Sequence, residues 1–242
     1  MIEVKVPNVV NNLESLLSNK PDLLKTHANG LINPEGTIQF IGIPKNASTY
    51  FQMEAERQGW SNQILPLHHH IKRFAILRDP YERYISGIAE DLDRYITLEN
   101  DSRVFIQHLF TSNLVFDFFN FLFDLNIFEL GGHSTLQNTH LQYIINTIGK
   151  NDITFIKLSN TLGEDINQFL QSQNCKGNFS NEKFHEKKTS NQSFLPLVQY
   201  YFAHVKNKKR KDQLITYLQP DYGLLNSINF FNRFQDGQTR TQ

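Results

Sequence analysis

Three short apolar runs constrain this chain more than any other feature: TIQFIGI (37–43), KRFAIL (72–77) and ITFIKL (153–158). Each has the length and the β-branched content of a buried strand, and each is followed by a segment of helical composition. Buried strands alternating with helices predict an α/β fold with a central parallel sheet flanked by helices. In such folds ligands bind at the carboxyl ends of the strands. Two polar motifs stand there: PKNAST (44–49) after the first run and RDP (78–80) after the second.

The helices follow from local signals. Residues 49–58 favour a helix with Gly59 as its stop. Asp79 can cap the next helix, Pro80 suits its first position, and Glu82 completes a capping-box-like arrangement. Further helices are expected within 101–127, 135–147 and 161–172, then from the end of a polar loop (173–191) to about residue 228. Residues 1–36 read as a polar lead-in with one short helix, 37–234 as a single domain, and 235–242 as a polar tail.

Composition narrows the function classes. Lys+Arg and Asp+Glu both number 24, a zero balance that argues against a protein built to coat nucleic acid. Cys175 is the single cysteine, so no intrachain disulfide is available and an oxidising compartment is not needed for folding. The first twenty residues lack the apolar core of a signal peptide. No run reaches the ~18 apolar residues of a membrane span. The most apolar segment, VFDFFNFLFDLNIF (115–128), is interrupted by Asp117, Asn120, Asp124 and Asn126 and reads as a half-buried helix. The expectation is a soluble cytoplasmic protein.

PKNAST is suited to an anion. A loop that leaves a strand and enters a helix presents backbone N–H groups and the positive end of the helix dipole. Lys45 adds a charge, and Ser48 and Thr49 add hydroxyls. Taken alone, the segment is equally compatible with Ser48 or Thr49 capping a helix beside a surface lysine. The pattern G-x-x-x-x-G-K-[ST] is missing, so an ordinary ATP or GTP loop is not supported. Arg78 brings a planar fork that suits phosphate, and Ser86 follows two turns into the next helix.

Together, PKNASTYF and FAILRDPYERYISG resemble the 5′-phosphosulfate loop and the 3′-phosphate motif of sulfotransferases that use 3′-phosphoadenosine 5′-phosphosulfate (PAPS), in particular the carbohydrate branch that includes the heparan 2-O-sulfotransferases. GHSTLQ (132–137) is similar to a His-x-x-Pro-Gln element of that branch, with Leu136 at the proline position. FIKLSNTLGEDINQFL (155–170) resembles its strand–helix segment, with Ser159 where a glutamate is common, and LQPDYGLLN (218–226) resembles its closing element. The likeness spans roughly residues 37–228. It implies a three-layer P-loop-like fold and an enzyme that transfers a sulfuryl group from PAPS to an acceptor hydroxyl. Lys45, Asn46, Ala47, Ser48 and Thr49 would wrap the phosphosulfate, and Arg78 and Ser86 would hold the 3′-phosphate. Ala47 takes the place of a frequent glycine.

Such a transfer needs a base. LHHHIKRF (67–74) places three histidines before the second strand, where an extended segment sets His68 and His70 on one face. The 2-O-sulfotransferases are similar in having a His-x-His pair upstream. His70 or His68 is the favoured base, ahead of Glu54 and Glu56, with His133 better suited to substrate contact. Charge accounting requires no metal, and the sequence has no metal cluster. The acceptor is expected to be a glycan or small molecule; the basic run KNKKRK (206–211) either attracts an anionic one or is a solvated helix end, and Lys187 and Lys188 fall in a loop. The family's animal members carry a Golgi anchor; without one, a bacterial or viral cytoplasmic enzyme is expected. A phosphate-loop small-molecule kinase and a non-catalytic nucleotide- or glycan-binding protein are the alternatives.

Overall fold

A computed structural model describes residues 30–63, 70–97, 107, 109, 111, 114–124, 128, 130–181 and 194–228. The chain divides into two compact units, each assembled from separate stretches. A sheet unit takes in His27–Pro80, Leu136–Lys188 and Leu218–Gln242, and a helical unit takes in Tyr81–Thr135 and Thr189–Tyr217.

In the sheet unit the described elements are β1 (Gly30–Ile32), β2 (Ile38–Ile41), α1 (Ser48–Arg57), β3 (Ser61–Gln63) and β4 (Lys72–Leu77). In the helical unit α2 (Pro80–Thr97, its first residue on the boundary) and α3 (Val115–Asp124) follow. The chain then returns to the sheet unit with α4 (Gln137–Ile148), a 3-10 turn (Lys150–Asp152), β5 (Ile153–Lys157) and α5 (Leu162–Ser172). The helical unit is completed by α6 (Leu195–Ala203), a second 3-10 turn (Val205–Asn207) and α7 (Lys208–Tyr217), and α8 (Gln219–Ser227) belongs again to the sheet unit.

The three predicted strands are present as β2, β4 and β5, and they pair in parallel, Phe40 opposite Phe74 and Leu77 opposite Lys157. The sheet is nevertheless mixed, which corrects the expectation of a wholly parallel one. Its order is β3-β1-β2-β4-β5, with β1 antiparallel to both β2 and β3. The two added strands are three residues each, GLI and SNQ. GLI lies inside the stretch read as a polar lead-in, and SNQ has no apolar pattern at all, so neither is long or hydrophobic enough to register as a strand.

Side-chain alternation along the strands explains the layering. Ile38, Phe40, Phe74, Ile76 and Ile156 point to one face, where they bury Phe51 and Ala55 of α1 and Leu162, Ile166, Phe169 and Leu170 of α5. Ile41, Ala75, Leu77 and Ile153 point to the other, against Leu141, Ile144 and Ile148 of α4 and Leu224 and Leu225 of α8. Both faces of the sheet are therefore covered by helices, which is why β4 is buried at every residue after Lys72. The first face is strongly aromatic: Phe51 lies 4.2 Å from Phe40 and stacks on Phe179 at 5.0 Å between ring centroids. Helix α1 stops where the sequence predicts, at Gln58 and Gly59, and Gly59 supplies the positive φ of +82° that ends it.

In the helical unit, α2 buries Tyr84, Ile85, Ile88, Ala89 and Leu92, the spacing of one helix face. Helix α3 is the half-buried helix expected from its broken apolar run. Phe119 and Phe123 pack on Tyr201 of α6 at 5.0 and 5.6 Å, while Phe121 is exposed. The Tyr201 hydroxyl donates to Asn120 at 2.8 Å. Among the described residues no helix is long and apolar enough to cross a membrane.

Candidate functional site

Parallel pairing sends the chain out of β2, β4 and β5 at one edge of the sheet. Residues 42–47, Arg78 with Asp79, and Leu158 with Ser159 all emerge there. Within the first of these, Lys45 and Ala47 both adopt left-handed backbone, φ 67° and 58°. An L-residue pays roughly 1–2 kcal/mol for that conformation, and such strain concentrates at functional loops. The two left-handed residues bend the loop tightly about Asn46, whose amide donates to the Ile43 carbonyl at 3.2 Å. Ala47 is the N-cap of α1 and offers no side-chain bond, and no acidic residue lies in the first turn. Neither Ser48 nor Thr49 occupies the cap position; Ser48 is half-buried and Thr49 exposed.

Asn46, between the two left-handed residues, turns inward and is fully buried. Its Nδ2 donates to the Ile76 carbonyl of β4 at 2.8 Å and to Gln137 Oε1 at 2.6 Å. Gln137, also fully buried, accepts at the same Oε1 from the Arg78 amide (3.1 Å) and donates from Nε2 to the Arg78 carbonyl (3.0 Å). Asp221 completes the chain of contacts. Its Oδ2 accepts from the Gln137 amide (2.9 Å) and its Oδ1 from the Asn138 amide (2.7 Å), so it caps α4 in place of Leu136, which has no capping side chain. Loop 44–47, the end of β4, and the starts of α4 and α8 thus meet in one buried polar network. Asn46 supports the loop from beneath with its side chain, and Asn46 Oδ1 has no hydrogen-bond partner among the described residues.

No protein-family model, curated protein or solved structure matches the chain.

His70, the described histidine before β4, is not brought to this edge. His70 is exposed and stands two residues before Lys72, which pairs with Ile38 at the start of β2. The five steps from Lys72 to Leu77 separate it from Arg78 by about 17 Å of strand. The physical reason is direction: a strand that delivers Arg78 to one edge begins at the opposite edge. His68 and His69 lie outside the described residues. Of the other candidates, Glu54 is buried on α1 and ion-paired with Arg57, and Glu56 is exposed. Ser86 lies on α2 in the helical unit, buried to 4% exposure.

His133 also belongs to the helical unit, where its Nδ1 is 2.9 Å from Asp91 Oδ1. The other Asp91 oxygen accepts from the Ser134 amide (3.0 Å) and hydroxyl (2.7 Å). Arg83, Gly87 and Asp91, spaced by four along α2, fasten this turn together: Arg83 donates to the Thr135 carbonyl at 2.6 Å, and the His133 carbonyl lies against Gly87. A carboxylate at Nδ1 orients an imidazole so that Nε2 can accept a proton. His133 is only 22% exposed as a side chain.

The remaining sequence features have ordinary settings. Lys206, Lys208, Lys209 and Lys211 are exposed, and Lys211 Nζ sits 5.4 Å over the Tyr81 ring, as expected for a solvated helix start. Lys187 and Lys188 lie outside the described residues. Cys175 is a free, half-buried thiol near Asn33 and Thr37. Among the described residues no three His, Cys, Asp or Glu side chains group as a metal site. A cavity of about 830 Å³ runs along the outer side of β5, lined by Thr154, Lys157 and Gln168 among others.

Gln137 and Asp221 were legible only through the resemblance of GHSTLQ and LQPDYGLLN; each lies in the first turn of a helix and is buried beside neighbours that are not. Asn46 shows the limit of motif reading, since nothing local says which way an amide in a loop will face.

Proposed function

We propose that this protein is a sulfotransferase that takes PAPS as donor and an acceptor hydroxyl, on a carbohydrate or small molecule, as second substrate. The observation that carries the reading is the shared oxygen of Gln137. It ties Asn46, from the motif that resembles a phosphosulfate loop, to Arg78, from the motif that resembles a 3′-phosphate site. Two segments 32 residues apart that resemble the two ends of one nucleotide site are held side by side. The start of α1, with no acidic residue in its first turn, is further support, because the positive end of a helix suits an anion. A parallel β2-β4-β5 core with helices on both faces agrees with a three-layer P-loop-like fold.

In this reading Lys45, Ala47, Ser48 and Thr49 hold the phosphosulfate, and Asn46, whose amide donates to the Ile43 carbonyl and whose side chain is buried, shapes the loop. The Lys45 ammonium balances charge on the phosphate oxygen that departs. Arg78 receives the 3′-phosphate, with Ser86 as the second residue the resemblance assigns to it. The hydroxyl of the acceptor gives its proton to a base as its oxygen forms the bond to sulfur. For that base the sequence offers His68, outside the described residues, and Glu54 and Glu56 of α1, while His70 stands at the far end of β4. The single cysteine fits a reducing compartment such as the cytoplasm.

Calorimetric binding of 3′-phosphoadenosine 5′-phosphate (PAP) and of ATP, with wild type and Arg78→Ala in parallel, tests the proposal. Tight PAP binding that collapses in the variant, with weak ATP binding, is expected. Equal binding of the two, or preference for ATP with Mg²⁺, sinks it and favours a kinase. PAP binding with no turnover on any acceptor favours a non-catalytic binding protein.

A further inference from the structure

We infer that Gln137 and Asp221 are positioning residues that set the spacing between loop 44–47 and Arg78, and so let the protein tell a nucleotide with two separated phosphates from one with a single phosphate. The inference rests on the reading of those two segments as the two ends of one anion site.

Both side chains are fully buried, so neither is available to a ligand in solvent. They act through what they hold. The Gln137 amide takes both the N–H and the C=O of Arg78, a two-point clamp that fixes the peptide groups on either side of that residue. The clamp limits rotation about the Arg78 backbone and therefore the direction in which its side chain leaves the sheet. The same Gln137 oxygen holds Asn46, the residue between the two left-handed positions of the loop. Asp221 then holds Gln137 by its own amide, and holds the next amide with its second oxygen. A carboxylate with two N–H donors at a helix start is a charge-assisted anchor, favoured again by the helix dipole. Away from water these contacts polarise one another and resist distortion. A ligand with one phosphate needs only the loop or only Arg78, whereas a ligand with two needs the distance between them. Loosening the network should therefore weaken the second kind selectively.

The test uses two near-isosteric variants of the full chain, Asp221→Asn and Gln137→Glu. The first replaces one acceptor of the anchor by a donor, and the second removes the bond to the Arg78 carbonyl. Calorimetric affinities for PAP and for adenosine 5′-phosphate are measured in wild type and both variants, together with amide hydrogen exchange of Arg78 without ligand and the thermal midpoint. The expected result is a loss of about tenfold for PAP, the scale of one hydrogen bond to a charged group, with adenosine 5′-phosphate changed by less than about threefold. Arg78 exchange should accelerate while the thermal midpoint stays within a few degrees. If both variants keep the wild-type ratio of the two ligands, or lose both ligands in proportion to stability, the positioning role is overturned and the nucleotide reading stands. If wild type itself does not prefer PAP, the nucleotide reading fails and the discrimination inferred from it fails too. Either variant suffices should the other not fold.

Discussion

Ala47 repeats, two residues on, the left-handed backbone of Lys45, with φ values of 58° and 67° on either side of a fully buried Asn46. The loop is thus bent twice by residues that have a Cβ, and pinned between the bends by one that points inward. A strained but anchored loop of this kind holds its conformation through the buried contacts of Asn46.

That strain is testable at Ala47. Alanine to glycine inside a helix or strand usually destabilises, but at a left-handed N-cap the sign reverses, because glycine has no Cβ to clash. Ala47→Gly is expected to raise stability by about 1 kcal/mol. Chemical denaturation of both proteins measures it, and a loss of stability of similar size would mean that the loop does not hold this conformation in solution.

Gly87 should behave in the opposite way to an ordinary helical glycine. Replacement by alanine normally gains helix propensity, but here the new Cβ would stand 2.0 Å from the His133 carbonyl oxygen, a backbone atom that has no flexible way out. Gly87→Ala is expected to cost about 1–3 kcal/mol as overpacking and to move the turn held by Arg83 and Asp91. Urea unfolding gives the cost, and the imidazole resonances of His133 report the displacement.

Tyr50 supplies a pH dependence. Its hydroxyl is pushed up to about 12 by burial, with the neighbouring Glu54 carboxylate adding to the rise, and it donates to the Ser180 carbonyl at 2.8 Å. In the unfolded chain a tyrosine titrates near 10. Between those values the folded chain holds a proton that the unfolded chain has lost, so stability falls as pH rises through the window and is unaffected by this group below it. Denaturation midpoints compared across that range should decline less steeply in Tyr50→Phe than in wild type. Parallel declines would show that Tyr50 ionises normally.

The position of His70 makes a negative prediction. His70→Ala should leave PAP affinity and turnover within about twofold of wild type, whereas Lys45→Ala should lower PAP affinity by about tenfold or more through loss of a charge-assisted contact. Isothermal titration of the two variants separates the ends of β4. A turnover loss specific to His70→Ala would return that residue to the chemistry.

What could be read from the sequence followed burial. KRFAIL occupies its predicted strand residue for residue, because a strand covered on both faces carries a continuous apolar run, here Phe74–Leu77. The stop at Gly59 and the start at Pro80 were legible because glycine admits a positive φ and proline fixes φ near the helical value. β1 and β3 were not legible, since Gly30–Ile32 and Ser61–Gln63 gain their strand character only from neighbours in the sheet. The same division holds at the candidate site. Lys45 and Arg78 announce themselves as cations at strand ends, but the residues that join their segments, Asn46, Gln137 and Asp221, are linked across 91 and 84 positions of sequence. His70 shows the converse: its residue type suits catalysis, while strand direction decides to which end of β4 it is delivered.

The pairing of Leu77 with Lys157 has a consequence for how the chain reaches this structure. β4 and β5 are sheet neighbours, yet the stretch of chain between them contains Tyr81–Thr135 of the helical unit. That pairing closes a longer stretch of chain than the pairing of β2 with β4, and its loop entropy is spent before the contact returns anything. β5 is therefore expected to join the sheet after β2 and β4 have paired.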